Sequence, residues 1–285
     1  MHYDSDMLYI AQMEKGEKLY HYTTIDALIN IVSQNELWIT KWDYLNDIDE
    51  FRVALDVCVE ILKEEKIKPE IIQEVVNCVK EDLYLDSFSQ DYFILSFSCD
   101  NDSQLLWSNY SNYDGVNLEI DFEKFIGSLN HKMLWHGLVN YNFESQIECL
   151  RKTFYHEFLN IEEFGKLKSL SEINRLKGKE YEMLVMHMSV ICDLYSMFFK
   201  RDCFAGEKEY RFVFSRERKQ EISFRNKNRI VIPYIKKQME NIDCITGITI
   251  GPTNQVDIAE KGIRELSHYY NKEVDISKSK IPLRF

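Results

Sequence analysis

The segment Lys18-Leu-Tyr-His-Tyr-Thr-Thr-Ile-Asp26, continued by Ala-Leu-Ile-Asn-Ile-Val-Ser-Gln-Asn-Glu-Leu-Trp-Ile-Thr40, predicts a strand, a helix and a second strand in succession. Its first part is rich in the aromatic, β-branched and aliphatic residues that strands prefer. Thr24 is a good N-cap, and the apolar residues after it recur at helical spacing. This strand–helix–strand unit is the first building block of a mixed α and β fold.

His21 stands inside the first strand of this unit. Alternation along the strand places Leu19, His21 and Thr23 on one face, with Tyr20 and Tyr22 on the other. The imidazole therefore has apolar neighbours. Two interpretations stay open: a core histidine with satisfied hydrogen bonds, or a functional group with a perturbed pKa.

Short strand patterns recur along the rest of the chain, interrupted by two helical blocks at about 51–88 and 144–199. The strands are predicted at Leu19, Leu37, Tyr92, Val116, Met133, Glu207, Ile230 and Ile248. This order predicts one α+β domain over residues 1–285, with a mostly antiparallel sheet and helical insertions. We also expect a short amphipathic helix from about Ser5 to Glu14 and a loose C-terminal tail.

Two further segments carry polar residues in patterns that suit a site. The strand Glu207–Phe214 places Glu207, Glu209 and Arg211 on one face. That face is either solvated, with a Glu–Arg pair, or part of a site with two carboxylates. Ser96 and Ser98 end the strand Tyr92–Ser98, and the helix predicted after it carries Trp107 and Tyr110, which either pack on the sheet or face a ligand.

The overall composition restricts the classes of function. The chain has 285 residues and a net charge of −12, which works against a broad surface for nucleic-acid phosphates. A late basic run is predicted to be mainly a solvated face, with local nucleic-acid contact as the alternative; it comprises Lys200, Arg201, Lys208, Arg211, Arg216, Arg218, Lys219, Arg225, Lys227 and Arg229.

The seven cysteines are odd in number and include no C-x-x-C, so neither a disulfide framework nor a zinc site is predicted. No set of metal-ligand residue types has convincing metal spacing. The first residues lack the apolar core of a signal peptide, and no segment is apolar over membrane length. We therefore expect a cytoplasmic protein without a membrane partner.

The chain resembles two related groups of proteins. Tyr20–Thr23, the helical pattern Ile25-x-x-Leu28-x-x-Ile31 and the following strand resemble the opening of ADP-ribosyltransferase folds, including DNA-targeting toxins of bacteria. A closer resemblance is to a bacterial family, domain-of-unknown-function family two-nine-seven-one. The blocks that carry this resemblance are Leu19–Thr23, Tyr44–Asp47 with Glu50, Phe93–Ser98, Trp107, Glu207–Arg211 and Ile248–Pro252.

The resemblance implies a split, mostly antiparallel ADP-ribosyltransferase-like sheet and NAD as the substrate. It implies that Glu209 stabilises charge on the ribose, that Glu207 orients or deprotonates the acceptor, and that His21 bonds the ribose or holds the nicotinamide end. Trp107 or Tyr110 would pack on nicotinamide, and Arg52 or Arg211 would contact the diphosphate. The NAD-binding residues expected on this basis are His21, Tyr22, Thr23, Arg52, Ser96, Ser98, Trp107, Tyr110 and Arg211.

The activity implied by the resemblance is cleavage of NAD at the nicotinamide–ribose bond with transfer of ADP-ribose to a protein or nucleic acid. A toxin or antiphage effector, with a neutralising partner, is the implied setting. Two alternatives stay open: an NAD glycohydrolase, with water as the acceptor, and a non-catalytic binding or sensing module on the same fold.

Overall fold

The computed structural model describes residues 8–45, 50–80, 92–129, 133–159, 167–217, 219–227, 229–240, 242–253 and 255–283. The chain divides into two compact units. The helical unit contains Met1–Ala11, Leu45–Tyr92 and Gly137–Ala205, and the sheet unit contains Gln12–Tyr44, Phe93–His136 and Gly206–Phe285. Both predicted helical insertions fall in the helical unit, and the single domain expected for residues 1–285 stays a prediction.

The elements within the described residues are as follows. The strands are β1 (Lys18–Thr23), β2 (Glu36–Lys41), β3 (Tyr92–Ser98), β4 (Val116–Asp121), β5 (Trp135–Leu138), β6 (Glu209–Ser215), β7 (Ser223–Lys227), β8 (Ile230–Gln238), β9 (Ile245–Ile250) and β10 (Asp275–Lys278). The helices are α1 (Ile25–Gln34), α2 (Glu50–Glu64), α3 (Pro69–Lys80), α4 (Gln104–Ser111), α5 (Phe122–Ser128), α6 (Phe143–Leu159), α7 (Lys179–Ser196) and α8 (Val256–Tyr269).

The sheet has the order β10-β9-β4-β1-β3-β2-β8-β7, with β6 also paired to β3 and β5 paired to β6. The β1–β4, β4–β9, β1–β3, β2–β3, β2–β8 and β7–β8 pairs are antiparallel, whereas β10 runs parallel to β9. The protein is therefore a mixed α+β protein with a mostly antiparallel sheet, as the sequence predicted.

The sheet branches at β3, which has three neighbouring strands. β1 meets the end of β3, where Tyr20 lies opposite Ser98, and β2 meets its beginning, where Thr40 lies opposite Ile94. Because a strand has only two hydrogen-bonding edges, two of the three neighbours divide one edge between them. The branch brings β1 and β6 to the same central strand although they are far apart in sequence.

Local sequence signals explain the β1–α1–β2 segment well. The Thr24 side chain accepts a hydrogen bond from the Ala27 amide and begins α1, as predicted. The helix ends at Asn35, which has a left-handed backbone with φ of 51°. β2 follows at once, and the buried Leu28 and Val32 face the core.

The helical unit contains α2, α3, α6 and α7. Pro69 begins α3 and separates it from α2, because its missing amide costs nothing in the first turn of a helix. α7 packs against α2 and α3, and α6 packs against α2. No helix within the described residues is long and apolar enough to span a bilayer.

Three sequence predictions at the ends of elements were wrong. Residues 8–14 do not form the expected helix, and the Ala11 carbonyl instead accepts from the Leu138 amide at 2.8 Å. The strand predicted from Met133 shortens to β5. The C-terminal tail is not loose, because the Lys280 amide donates to Asp102 at 2.7 Å.

Gly115 lies just before β4, where the backbones approach closely. A Cβ atom there would lie 2.2 Å from the Thr23 carbonyl oxygen and 2.6 Å from the Ser111 Cβ atom. We expect Gly115→Ala to lower the free energy of unfolding by about 1–3 kcal/mol, because packed backbone cannot move aside without strain. Urea denaturation of the purified variant measures this loss.

Gly127→Ala is the matched control for that variant. Gly127 lies in α5, and a Cβ atom there would have nothing within 4 Å. Alanine is the better helix former, by about 1 kcal/mol. Equal stabilities of the two alanine variants would contradict the steric argument at Gly115.

Candidate active site

A small cavity lies in the sheet unit where β1, β3, β6 and α4 meet. Its volume is about 70 Å³. The structure brings seven of the residues predicted from the sequence to this cavity: His21, Tyr22, Ser96, Ser98, Tyr110, Glu207 and Glu209. Tyr20, Phe97 and Leu106 also line it and were not predicted as site residues. His21 and Glu209 therefore share one cleft despite their separation in sequence.

Glu209 is held at the start of β6 by two side chains. Its Oε2 atom accepts from the Arg211 Nε atom at 2.6 Å and from the Ser96 hydroxyl at 3.1 Å. Glu209 is 6% exposed and Arg211 is 2% exposed, so this is a buried ion pair. The solvated face considered for β6 is therefore wrong, while the Glu–Arg pair considered with it is present.

Glu207 lies just before β6 and is also buried. Its carbonyl oxygen accepts from the Ser98 hydroxyl at 2.8 Å, so the two serines of β3 brace the two glutamates of this segment. Lys208, between the glutamates, has a left-handed backbone with φ of 46°. Such a conformation costs energy for a residue with a side chain. Glu207 and Glu209, on either side of this left-handed residue, line the same cavity.

Lys208 is held in place by one contact of its backbone and one contact of its side chain. Its carbonyl oxygen accepts from the Cys99 amide at 2.8 Å. Its ammonium group lies 2.9 Å from the Asp100 carboxylate. These contacts link the residue before β6 to the residues that follow β3.

His21 faces the same cavity and two smaller ones. Its ring packs edge-on against Phe97, with ring centroids 5.5 Å apart. The pKa of His21 is lowered to about 4, mainly by burial, with the positive charges of Arg225 and Lys227 acting in the same direction. The imidazole is therefore neutral at pH 7, with one ring nitrogen as a donor and the other as an acceptor.

We expect His21 to make the protein less stable in mild acid. Its pKa is about 4 in the folded protein and about 6.5 in an unfolded chain, so protons bind the unfolded state preferentially between these values. The stabilising effect of neutral His21 is complete above pH 6.5 and is lost as the pH falls to about 4. The full loss is about 3 kcal/mol.

Urea denaturation of the wild-type protein and of His21→Gln at several pH values tests this expectation. The other six histidines are common to both proteins, so their effects cancel in the difference. The stability of wild type relative to the variant should decline from pH 6.5 to pH 4. If the difference in stability between the two proteins does not change with pH, the pKa of His21 is the same in the folded and the unfolded protein.

Trp107 does not line this cavity, and the predicted stacking of Trp107 or Tyr110 on nicotinamide stays a prediction. Trp107 is fully buried, with its ring 4.9 Å from that of Tyr22 in an edge-on arrangement. Its indole nitrogen donates to Asp102 at 2.8 Å. Trp107 is therefore a core residue, and Tyr110 is the aromatic ring of α4 that reaches the cavity.

Asp102 joins α4 to the C-terminal tail. Besides Trp107, it accepts from the Ser279 hydroxyl at 2.6 Å and from the Lys280 amide at 2.7 Å. Ile281 packs on the cluster formed by Tyr22, Leu106 and Trp107. The tail thus packs against this cluster.

The remaining predicted residues lie elsewhere. Thr23 is buried in β1 and lines a neighbouring cavity of about 60 Å³. Arg52 is an exposed residue of α2 in the helical unit. Arg211 is buried and donates to Glu209, and the predicted contact of Arg52 or Arg211 with a diphosphate stays a prediction. Among the described residues, no group of three His, Cys, Asp or Glu side chains could hold a metal ion.

The fold and the cavity define a mixed α+β protein with a pocket in its sheet unit that is lined by aromatic residues and two buried glutamates. Residues 106–212 match the family described as "Protein of unknown function (DUF2971)". This match supports the family expected from the sequence. The match includes Tyr110, Glu207 and Glu209, and it begins after β1 and β3. Neither the curated proteins nor the solved structures gave a match.

Proposed function

We propose that the protein is an NAD-dependent ADP-ribosyltransferase. The proposal includes an ADP-ribosyltransferase-like form of the branched, mostly antiparallel sheet. The observation that carries it is the convergence of His21, Ser96, Glu207 and Glu209 on one cavity. These residues come from three separate parts of the chain, and the resemblance assigned all of them to NAD chemistry.

The chemistry requires breaking the bond between nicotinamide and the ribose, through a transition state with oxocarbenium character. Glu209 is our candidate for stabilising that positive charge. Arg211 and Ser96 hold its carboxylate in a fixed position, which is the condition for electrostatic stabilisation without rearrangement. Neutral His21 offers a ring nitrogen that can accept a hydrogen bond from a ribose hydroxyl.

The second half of the reaction attaches ADP-ribose to an acceptor. Nicotinamide leaves with the electrons of the broken bond, and an acceptor oxygen or nitrogen bonds to the same ribose carbon. Glu207 lines the same cavity as Glu209 and is our candidate base for the acceptor proton. The cavity of about 70 Å³ is below the usual range of about 300–1,000 Å³ for ligand sites, so we assign only the nicotinamide–ribose end to it.

A non-catalytic binding module is the second candidate, and one observation favours it. Glu209 is buried and paired with Arg211, which is also how a purely structural carboxylate would be held. In that case the pocket would bind a ligand without cleaving it.

The test follows free nicotinamide from NAD incubated with the purified protein, alone and with added protein, DNA or RNA. We expect release that rises with an acceptor, and ADP-ribose attached to that acceptor. Equal release without an acceptor would indicate a glycohydrolase. No release under any of these conditions, with binding retained, would favour the binding module. Transfer to a macromolecule would also suit the toxin or antiphage setting that the resemblance suggests.

A further inference from the structure

β7 is an edge strand that turns two cations inward. Along Ser223–Lys227, Phe224 and Asn226 are exposed, whereas Arg225 and Lys227 are partly buried. The sequence placed both cations in a basic run that was predicted to be solvated. The alternation of the strand instead sends Arg225 and Lys227 to one face, two residues apart.

Arg225 has few partners for a guanidinium group. One of its terminal nitrogens donates to the Thr40 hydroxyl at 2.7 Å, and the group lies 5.6 Å from the centre of the Tyr234 ring. The Nε atom is buried and has no hydrogen-bond partner in the described part of the chain. No carboxylate of the described residues forms an ion pair with Arg225. An unsatisfied buried donor of this kind is costly and normally has an explanation.

Lys227 likewise has no carboxylate partner among the described residues. Its ammonium group lies 5.6 Å from the centre of the Tyr110 ring. Burial lowers the pKa of Lys227, and the nearby charge of Arg225 lowers it further. Acidic residues outnumber basic ones in this chain, 47 to 35, so two neighbouring cations without a carboxylate are not explained by a shortage of acids.

Both cations border the candidate site. Arg225 lines a cavity together with His21 and Thr23. Lys227 lies over Tyr110, which lines the cavity of His21 and Glu209. A ligand held in that cavity could therefore extend an anionic group toward the cation pair.

We propose that Arg225 and Lys227 bind the phosphates of a nucleotide ligand whose other end occupies the His21–Glu209 cavity. A guanidinium group and an ammonium group side by side suit a diphosphate, because each can donate charge-assisted hydrogen bonds to a different phosphate. The binding of a phosphate group stands independently of catalysis. Its identification as the diphosphate of NAD rests on the proposed function.

Calorimetric titration with ADP-ribose, ADP and adenosine tests this inference directly. The variants are Arg225→Gln, Lys227→Gln and the double substitution. We expect each single substitution to weaken ADP-ribose and ADP binding by about tenfold or more, equivalent to about 1.4 kcal/mol. Adenosine carries no phosphate, so its binding should not change. Added salt should weaken the binding of the charged ligands in the wild-type protein.

Lys261→Gln with Arg264→Gln is the matched control, because it removes the same charge from exposed positions of α8. The melting temperature of the Arg225 and Lys227 variants should stay level or rise, because mutual repulsion is removed. Arg225→Lys is the fallback if Arg225→Gln does not fold; retaining the charge, it should bind ADP better than Lys227→Gln does.

The outcomes separate this inference from the proposed function. Phosphate-dependent binding that is lost in the variants, without any nicotinamide release, would support the cation site and reject the enzyme. Nicotinamide release with an unchanged KM for NAD in the variants would support the enzyme and overturn the cation site. Absence of ADP and ADP-ribose binding by the wild-type protein would also overturn it.

Discussion

Glu209→Gln should lower nicotinamide release by about 100- to 1000-fold. Glutamine keeps the shape of the side chain and can still accept from Ser96 and Arg211, but it carries no negative charge. Loss of one preorganised electrostatic contact in a catalytic site typically has an effect of about this size, equivalent to about 3–4 kcal/mol in the activation barrier. The measurement is the rate of nicotinamide release at saturating NAD.

The variant also disturbs a buried ion pair, so a loss of folded protein must be separated from a loss of catalysis. Assays therefore belong well below the melting temperature, with the folded fraction measured by circular dichroism. Arg211→Met is the comparison variant, because it breaks the same pair but keeps the Glu209 carboxylate. If the charge is what matters, Arg211→Met should keep more activity than Glu209→Gln. If both variants lose the same activity, in proportion to their loss of folded protein, the ion pair has a structural role only.

Glu207→Gln provides a second control with the same chemical change two residues away. Its proposed role is with the acceptor, so transfer to a macromolecule should fall more than nicotinamide release in the absence of an acceptor. A variant that loses both equally would contradict the division of roles. Unchanged nicotinamide release by Glu209→Gln would reject the proposed role of Glu209.

The parts of the fold that could be predicted were those fixed by neighbours in sequence. The β1–α1–β2 unit follows from strand-forming residues, the Thr24 cap and helical spacing. Pro69 marked the boundary between α2 and α3. In each case, one or a few adjacent residues carry the physical cause.

The parts that could not be predicted depend on residues distant in sequence. Trp107 had a helical position that suited either packing or stacking, and its burial is fixed by Asp102, which also binds the tail. β7 lacks the apolar alternation of a strand, because Arg225 and Lys227 occupy its inward positions. Only the pairing with β8 identifies it as a strand.

The candidate site shows the same division. The order of His21, the two serines and the two glutamates suggested a common site by resemblance. Their convergence depends on the branch at β3, which places β1 and β6 beside the same strand. Whether the Glu207–Arg211 face was buried could not be read from its alternation, since a solvated face and a buried pair have the same spacing.

The largest expected effect on stability comes from Arg211→Met. Arg211 is 2% exposed, and its Nε atom lies 2.6 Å from Glu209. Removing one partner leaves the other charge buried without this ion pair, which typically costs about 3–5 kcal/mol. Arg264→Met is the matched control, because Arg264 pairs with Glu260 on the exposed side of α8. An exposed pair four residues apart contributes little to stability, so the control should lose far less.

A double-mutant cycle separates the ion pair from the packing of its stems. Glu209→Leu with Arg211→Met removes both charges while keeping apolar volume, and such replacements of buried pairs are often neutral in stability. We therefore expect the double variant to be more stable than either single variant in urea denaturation. This outcome would mean that the pair is retained for the position of the Glu209 carboxylate rather than for stability. A double variant whose losses simply add would instead show that the two side chains stabilise β6 independently, and the argument for a held carboxylate would fail.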